Sequence, residues 1–506
     1  VSLFLQVSVI EADGKIQQKV QVKRLMSPDK QQKLSASLKQ LSKDMKLLMT
    51  NQLKPANMTT SSISYHTQTE DDYLKNDWFV NQTFGFHGTL PEEEQKFLST
   101  FYGEESKKFL PVAGVATKLN TSNMLVSNAY SFLPMPIQTG LPAHVNGHFA
   151  IHSSRRSIWE HTSFGHWNRV LRDYVISPAY CHFLLDLGKT FQSAVDVKNW
   201  VRFLPEVSKA RDDYFACLVK RVFDYILEQN MSVIPVPQGD LLTFHPPVDC
   251  LFTTAARNEA VENLLLKLNQ KVCTTSEVAI RFKMADKDSL NIINPTVVLE
   301  RLKTIDMKLP KPVQRSAFST PATLNTILEF ILKGPASNNY KLFDDAPLCL
   351  SMDCILRQFS VESPVFMDSQ FSKIIPEYPQ KFLHSAISQN FTNTAGVESS
   401  PFRSLSGSLN GSLRTKDASP VKSLTFEDVA ELLPEVKKFM DKKWAKEMWA
   451  LIKVFLLFLV FAESFSHLLC IFHACLLNDL LSIPYTCIFP HSKHAFKFII
   501  FLLYSH

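Results

Sequence analysis

Glycine is scarce in this sequence. Only 14 of the 506 residues are glycine, and none lies between Gly239 and Gly334. Glycine-rich turns bring backbone N–H groups close to bound phosphates. Their scarcity therefore argues against ligand loops of that kind and favours helix in the interval. The patterns Gly-x-x-x-x-Gly-Lys-Ser/Thr, Gly-x-Gly-x-x-Gly and Gly-x-Ser-x-Gly are all absent, which excludes common nucleotide-binding and hydrolase motifs.

Paired cysteines are also missing. Nine cysteines, an odd number, occur without any Cys-x-x-Cys pair, a pattern typical of reduced thiols in a cytoplasmic protein. No metal site is predicted either. His491 and His494 lack a glutamate and a third ligand. His144, His148 and His152 recur every four residues around a predicted turn, and we interpret them as structural.

The chain carries no concentrated charge. Its formal net charge is +6, and 20% of its residues are charged against 45% hydrophobic. The basic residues are spread along the chain in short groups, which gives no basis for nucleic-acid binding. This composition is that of an ordinary globular protein, and its length suffices for about three domains.

Residues 133–159 form the most informative stretch. Prolines 134, 136 and 142 exclude a helix there and indicate extended or turning backbone. Residues 145–151 then predict a strand, which Asn146 and Gly147 interrupt as a turn or bulge.

This predicted strand ends in two adjacent cations and an indole. Arg155, Arg156 and Trp159 could place a fixed pair of guanidinium groups against an anion. The alternative interpretation is a surface arginine pair whose tryptophan belongs to the core.

The same stretch resembles the repeats of the sacsin family of chaperone-like proteins. The matching segments, in collinear order through about residues 1–390, are 132–136, 139–147, 149–151, 155–156, 167–171, 346–351, 356–357, 364–366 and 382–384. The positions of the family motif that we single out are Leu141, Pro142, His144, Asn146, Gly147, Trp159, Trp167 and Asn168.

The resemblance implies that a separate ATP-binding domain precedes this region in the parent protein. Sacsin repeats are similar to the 90-kilodalton heat-shock chaperones, in which an ATP-binding domain precedes a middle domain. Such an ATP pocket needs a helix with Glu and Asn, an Asp-x-Gly-x-Gly turn and a glycine-rich lid, none of which this chain contains. We therefore expect a fragment of one repeat with no cofactor and no enzymatic activity of its own, whereas ATP would bind the full-length parent.

Arg155 and Arg156 become nucleotide-sensing candidates through this resemblance. In the 90-kilodalton chaperones, a segment of the kind Leu-Pro-Leu-Asn, followed by Ser-Arg, brings an arginine to the terminal phosphate of ATP. Residues 141–144, followed by Ser154 and Arg155, look similar at a longer spacing. The alternative is that both arginines pair with nearby acids such as Glu160 and fix the loop.

The predicted fold class is α/β (α+β) with a helix-rich second half. Residues 1–24 are expected to be the terminal strands of an ATPase-like domain, 25–165 an α/β middle-like domain, and 166–388 a mostly helical domain with short strands. Residues 389–423 contain eight serines and three glycines and predict a flexible linker. Residues 424–450 predict a helix.

Local signals predict several elements. Ser27 and Pro28 are typical of a helix start. An apolar stripe follows at Leu34, Leu38, Leu41, Met45 and Leu48. Apolar runs at 112–116 and 130–133 predict buried strands.

The C-terminal residues 451–506 contain three apolar runs, none of which reaches the roughly 18 residues of a membrane-spanning helix. Three interpretations compete: a membrane anchor, a buried helical cap, or sequence not native to the protein. We favour the third, because the family pattern stops near residue 450.

Together these observations predict a cytoplasmic chaperone or co-chaperone scaffold. Resemblance implies the 70-kilodalton heat-shock chaperone and client proteins as partners, with no nucleic acid and no membrane. One alternative is the regulatory part of an ATPase whose nucleotide pocket lies upstream. Another is a membrane-tethered protein held by the C-terminal apolar runs.

Overall fold

The computed structural model describes residues 3–10, 16–70, 75–104, 109–119, 126–337, 339–367, 378–393 and 421–422. The helices are α1 (Pro28–Met49), α2 (Glu92–Glu104), α3 (Thr162–Leu171), α4 (Ser177–Gly188), α5 (Val197–Val201), α6 (Asp213–Glu228), α7 (Glu259–Lys267), α8 (Ser276–Met284), α9 (Pro295–Thr304), α10 (Pro321–Ile331) and α11 (Ser385–Asn393). The first strands are β1 (Leu3–Ile10), β2 (Ile16–Leu25), β3 (Ser61–Glu70), β4 (Lys75–Phe84), β5 (Val112–Lys118), β6 (Asn128–Ser131), β7 (Leu133–Gln138) and β8 (His144–Gly147). Shorter strands follow: β9 (Ile234–Gln238), β10 (Leu241–His245), β11 (Leu251–Phe252), β12 (Val272–Cys273), β13 (Lys311–Pro312), β14 (Cys349–Leu350), β15 (Ile355–Arg357), β16 (Val365–Phe366) and β17 (Val421–Lys422).

One large sheet organises the first part of the chain. Its eight strands lie in the order β1-β2-β3-β4-β5-β8-β6-β7. Neighbours pair antiparallel except β6 and β8, which run parallel. The hairpin of β6 and β7 therefore ends the sheet at the edge opposite β1. The fold is mixed α/β, as predicted, whereas an ATPase-like identity for the first strands stays a prediction.

Helix α1 begins as the sequence indicates. The Ser27 hydroxyl accepts a hydrogen bond from the backbone N–H of Lys30, and Pro28 occupies the first turn. The predicted stripe is buried at Leu34, Leu41, Met45 and Leu48. Leu38, at the margin of that stripe, is 49% exposed, so its inclusion was wrong.

Between α3 and α4 the helix widens into a π turn over Arg172–Ile176. Pro178 lacks an N–H, so it cannot donate to the carbonyl oxygen of Tyr174, as a continuous α-helix requires. The backbone N–H of His87 donates to that oxygen instead, at 2.7 Å. Ser177 binds the Arg172 carbonyl oxygen through both its N–H and, at 2.8 Å, its Oγ. The π turn thus fixes the loop after β4 against the helix.

Two hydrophobic clusters fill the interior. The first runs from Leu34 to Ala285 and packs α1, α2, α3, α4 and α6 against the large sheet. The second, from Leu251 to Val421, contains α7, α9, α10 and α11. The first cluster includes residues on both sides of the predicted boundary at 165/166, and the predicted domain limits stay predictions.

Two local predictions around the most informative stretch were wrong. Residues 130–133 do not form a buried strand, because the chain turns at Phe132 between β6 and β7. Asn146 and Gly147 are neither a turn nor a bulge. They continue β8 in regular register with Gly114 and Ala113 of β5.

Several predicted segments fall largely outside the described residues. Of the predicted linker 389–423, residues 389–393 belong to α11 and 421–422 to β17, and the remainder lies outside the described residues. The predicted helix 424–450 and the apolar runs of 451–506 lie outside the described residues. Within the described ranges, no helix combines the length and apolar character needed to cross a bilayer.

Candidate functional site

The hairpin of β6 and β7 carries an exposed apolar turn. Ser131 pairs with Leu133, so Phe132 alone forms the turn, and it adopts a φ of +62°. The side chains of Phe132 and Leu133 are 66% and 64% exposed. A left-handed conformation costs a residue with a Cβ about 1–2 kcal/mol. We call Ser131, Phe132 and Leu133 the hairpin tip.

The hairpin tip is held from two sides. The Asn146 Oδ1 accepts a hydrogen bond from the Phe132 backbone N–H at 3.1 Å. The Arg155 Nη2 donates to the carbonyl oxygens of Ser131 and Leu133 at 3.1 and 3.3 Å. The Phe132 ring also meets His148 edge to face, with 4.7 Å between ring centroids. Because these contacts enclose the turn, its unfavourable backbone conformation is stabilised by the surrounding structure.

The second part of the site is the arginine loop, residues 152–157. An isolated bridge between Ile151 and Ile158 closes it, and Arg155 adopts a left-handed φ of +58°. Arg155 is half-buried, whereas Arg156 is exposed. Neither guanidinium forms an ion pair with any described residue, so the expected pairing with Glu160 is absent from this part of the chain. Arg155 instead fixes the hairpin tip through backbone carbonyls.

Asn168 and Trp167, on α3, support the chain on either side of the arginine loop. The Asn168 amide accepts from the Ala150 N–H at 2.9 Å and donates to the carbonyl oxygens of Ala150 and Trp159 at 2.9 and 2.8 Å. The Trp167 Nε1 donates to the His148 carbonyl oxygen at 2.9 Å. Both side chains are buried, and these bonds satisfy their own polar groups as well as the backbone groups that they contact.

The remaining motif residues connect β8 to neighbouring strands. The carbonyl oxygens of Leu141 and Pro142 accept bonds from the hydroxyls of Ser127 and Thr117. The His144 Nδ1 accepts from the backbone N–H of Asn128 at 3.0 Å. That role needs a neutral ring, and burial lowers the pKa of His144 accordingly.

Gly147 lies in closely packed surroundings. A Cβ on this residue would lie 3.2 Å from the side chains of Ile176 and Phe149 and 3.3 Å from Leu171. Glycine thus lets the end of β8 approach α3 and the π turn closely.

The structure therefore brings most predicted site residues into one connected cluster. Asn146, Trp159, Trp167, Asn168 and Arg155 hold the hairpin tip and the arginine loop, whereas Leu141, Pro142 and His144 lie toward the other end of the hairpin. The sequence interpretation missed the exposure of the hairpin tip. Among the described residues, no group of three potential metal ligands occurs.

A polar depression lies elsewhere on the molecule, beside the π turn. It has a volume of about 580 Å³, and its lining residues are Thr89, Pro91, Asp173, Tyr174, Arg221, Glu228 and Gln229. Its charged groups are already paired: Arg221 binds Glu228 through two bonds of 2.6 and 3.0 Å, and Asp173 binds Arg172. It therefore offers a weaker case for a ligand than the hairpin tip.

We predict that Asn168→Asp lowers the free energy of unfolding by about 2 kcal/mol. The substitution keeps the acceptor for the Ala150 N–H but removes the N–H donors to two carbonyl oxygens. The Trp159 oxygen loses its bond from Asn168, and the Ala150 oxygen keeps only the bond from the Trp159 N–H, at 3.0 Å. Chemical denaturation measures the change in free energy.

Limited trypsin digestion supplies a local readout for this prediction. Cleavage after Arg155 and Arg156 should be faster in Asn168→Asp, because the supports of the arginine loop are weakened. The control is Asn57→Asp at an exposed asparagine. An unchanged stability and an unchanged cleavage rate would contradict the role assigned to Asn168.

Comparison with known proteins gives one relationship. The chain is 23% identical to human Sacsin over an alignment of 394 residues that covers 64% of this chain. The chain matches only 8% of the length of Sacsin. No family model matches the chain, and no solved structure matches it significantly. The similarity supports a sacsin-like relationship.

Proposed function

We propose that this chain is a non-catalytic, protein-binding module of a sacsin-like, chaperone-related protein. The observation that carries the proposal is the similarity to human Sacsin across 64% of the chain. The resemblance of sacsin repeats to heat-shock chaperones supplies the functional class. The proposed partners are client proteins and the 70-kilodalton heat-shock chaperone, and the proposed compartment is the cytoplasm.

The geometry of the site agrees better with binding than with catalysis. Asn168 and Trp167 bond backbone groups of the chain itself, as the ring of His144 does. These groups are therefore committed to structure. The cluster exposes two large apolar side chains (Phe132 and Leu133), one cation (Arg156) and the serines of the arginine loop. The described residues of the cluster expose no carboxylate of their own, which suits contact with another polypeptide.

A second candidate is a regulatory role for an ATPase with its nucleotide pocket upstream. Its support is Arg156, whose exposed guanidinium has no ionic partner in the described ranges and could bind phosphate oxygens. The arginine loop contacts the β6–β7 edge of the sheet, opposite β1. Nucleotide turnover by a longer protein that carries Arg156→Ala is the readout that separates this candidate from the first.

Binding to an unfolded protein tests the proposed function. The full 506-residue chain is titrated with reduced, carboxymethylated α-lactalbumin, which is permanently unfolded, and with purified 70-kilodalton heat-shock chaperone. We expect calorimetry to show saturable binding to the unfolded protein. Native α-lactalbumin is the matched control and should not bind.

Absence of binding to both the unfolded protein and the chaperone would contradict the proposed function. Equal binding to native and unfolded α-lactalbumin would also contradict it, because a client-binding module must distinguish the two states.

A further inference from the structure

The hairpin tip and the arginine loop together present a rigid apolar anchor. Phe132 is 66% exposed although its backbone is held by Asn146 and Arg155. An aromatic side chain on a fixed backbone loses little conformational freedom when it binds, and this raises its contribution to affinity. Leu133 extends the apolar surface, and Pro134 and Pro136 beside it are also exposed.

Strand addition at this edge is disfavoured. β7 is the last strand of the sheet, yet Pro134 and Pro136 within it lack the N–H groups that a pairing strand would use. A partner therefore has to bind through side chains at the hairpin tip rather than by extending the sheet.

The positive charge beside the hairpin tip favours a partner segment that carries acidic side chains. Arg155 and Arg156 contribute two guanidinium groups, and no described carboxylate forms an ion pair with either. Arg155 donates hydrogen bonds from Nη2 to two carbonyl oxygens of the hairpin tip, and its guanidinium still carries a positive charge. An apolar anchor next to two guanidinium groups complements a segment that mixes acidic and large apolar side chains.

We propose that the hairpin tip and the arginine loop form a docking site for a short acidic and apolar segment of a partner protein. The proposal rests on the proposed function and specifies where and by what chemistry the module binds. Phe132 and Leu133 fill an apolar pocket between partner side chains, and Arg156 pairs with a partner carboxylate.

A labelled peptide tests this docking site on the full chain. The probe is a fluorescein-labelled peptide that alternates Leu, Asp and Ser, followed by fluorescence anisotropy. Its two counterparts replace every Asp by Lys, or every Leu by Ser. We expect only the peptide that contains both Leu and Asp to bind.

Substitutions locate the binding. Phe132→Gly and Arg156→Ala should each weaken the peptide affinity by about tenfold or more, as expected of an anchor and its charged neighbour. Glycine accepts the φ of +62° at this position, so Phe132→Gly should not lower the melting temperature. Leu241→Ser, at a leucine 63% exposed on β10, and Arg315→Ala, at an exposed arginine, are the matched controls and should bind as the parent chain does.

The outcomes separate this inference from the proposed function. If the unfolded α-lactalbumin binds but Phe132→Gly and Arg156→Ala leave peptide affinity unchanged, the docking site is wrong and the protein-binding function stands. Equal binding of the Lys peptide overturns the assigned charge complementarity. If the peptide, the unfolded protein and the 70-kilodalton chaperone all fail to bind, both proposals fail.

Discussion

Replacing Trp167 by Ala is expected to lower the free energy of unfolding by about 3–5 kcal/mol, the range measured for buried aromatic truncations. Trp167 is fully buried. Its indole stacks on Phe101 with ring centroids 5.5 Å apart and an interplanar angle of 10°, and it meets Tyr102 edge to face at 6.0 Å. The substitution also removes the donor to the His148 carbonyl oxygen.

Chemical denaturation of Trp167→Ala and Trp167→Phe measures this effect. Phenylalanine keeps most of the aromatic packing but cannot donate the hydrogen bond, so we expect Trp167→Phe to lose clearly less stability than Trp167→Ala. If both variants unfold at the parent's denaturant midpoint, Trp167 does not anchor α3 to the chain around the arginine loop, and the description of the cluster is wrong.

The second large effect is a loss of stability in acid through His87. Burial, and then the neighbouring His182, lower the pKa of His87 from 6.5 to about 4 in the folded protein. Its Nε2 lies 3.2 Å from the Phe84 carbonyl oxygen, which can only accept, so this nitrogen carries the proton of the neutral ring.

Because the pKa of His87 is lower in the folded protein than in the unfolded chain, acid destabilises the fold. Between pH 6.5 and about pH 4 the unfolded chain binds a proton that the folded chain excludes. Stability is therefore complete above pH 6.5 and falls as the pH drops toward 4. The contribution of His87 to that loss is about 3 kcal/mol.

A glutamine variant isolates His87 from the other histidines. In His87→Gln the side-chain amide can still donate to the Phe84 carbonyl oxygen but does not titrate. From pH 7.5 to pH 4, the free energy of unfolding of the parent chain should fall by about 3 kcal/mol more than that of His87→Gln. His161→Gln, at an exposed histidine, is the control. A constant difference between parent and His87→Gln across this pH range would show that His87 does not stay neutral when folded.

Much of the helical structure follows from local sequence. The hydroxyl of Ser27 and the ring of Pro28 determine where α1 begins. In α6, apolar residues recur every three or four positions at Phe215, Leu218 and Val222, and all three are buried. In both helices the residues that determine the structure lie within a few turns of one another, so local sequence is sufficient to predict the helix.

The candidate site could be predicted only in part. Residues 130–133 are largely apolar in composition, as a buried strand is, but β6 and β7 lie at the edge of the sheet. Among the described residues, no strand covers the hairpin tip. The turn at Phe132 depends on Asn146 and Arg155, which are 14 and 23 positions away in the sequence. Patterns over a few neighbouring residues cannot predict contacts across such sequence separations. The proline at position 134 is the one local sign that regular strand pairing is limited there.

The sequence indicated which residues belong to the motif but not which groups they contact in the structure. The resemblance singled out Trp167 and Asn168 as motif residues, and the structure places both beside the arginine loop. That Asn168 bonds three backbone groups is a tertiary result, because Ala150 and α3 meet only when the sheet is formed.

Photocrosslinking at position 132 determines whether another protein binds at the hairpin tip. Phe132→p-benzoylphenylalanine and, as the matched control, Leu241→p-benzoylphenylalanine are placed in the full chain and irradiated with reduced, carboxymethylated α-lactalbumin. If the hairpin tip is the docking site, we expect a crosslink yield at position 132 about tenfold or more above that at position 241. The peptide that contains Leu and Asp should suppress this crosslink. Equal yields at the two positions would contradict docking at the hairpin tip.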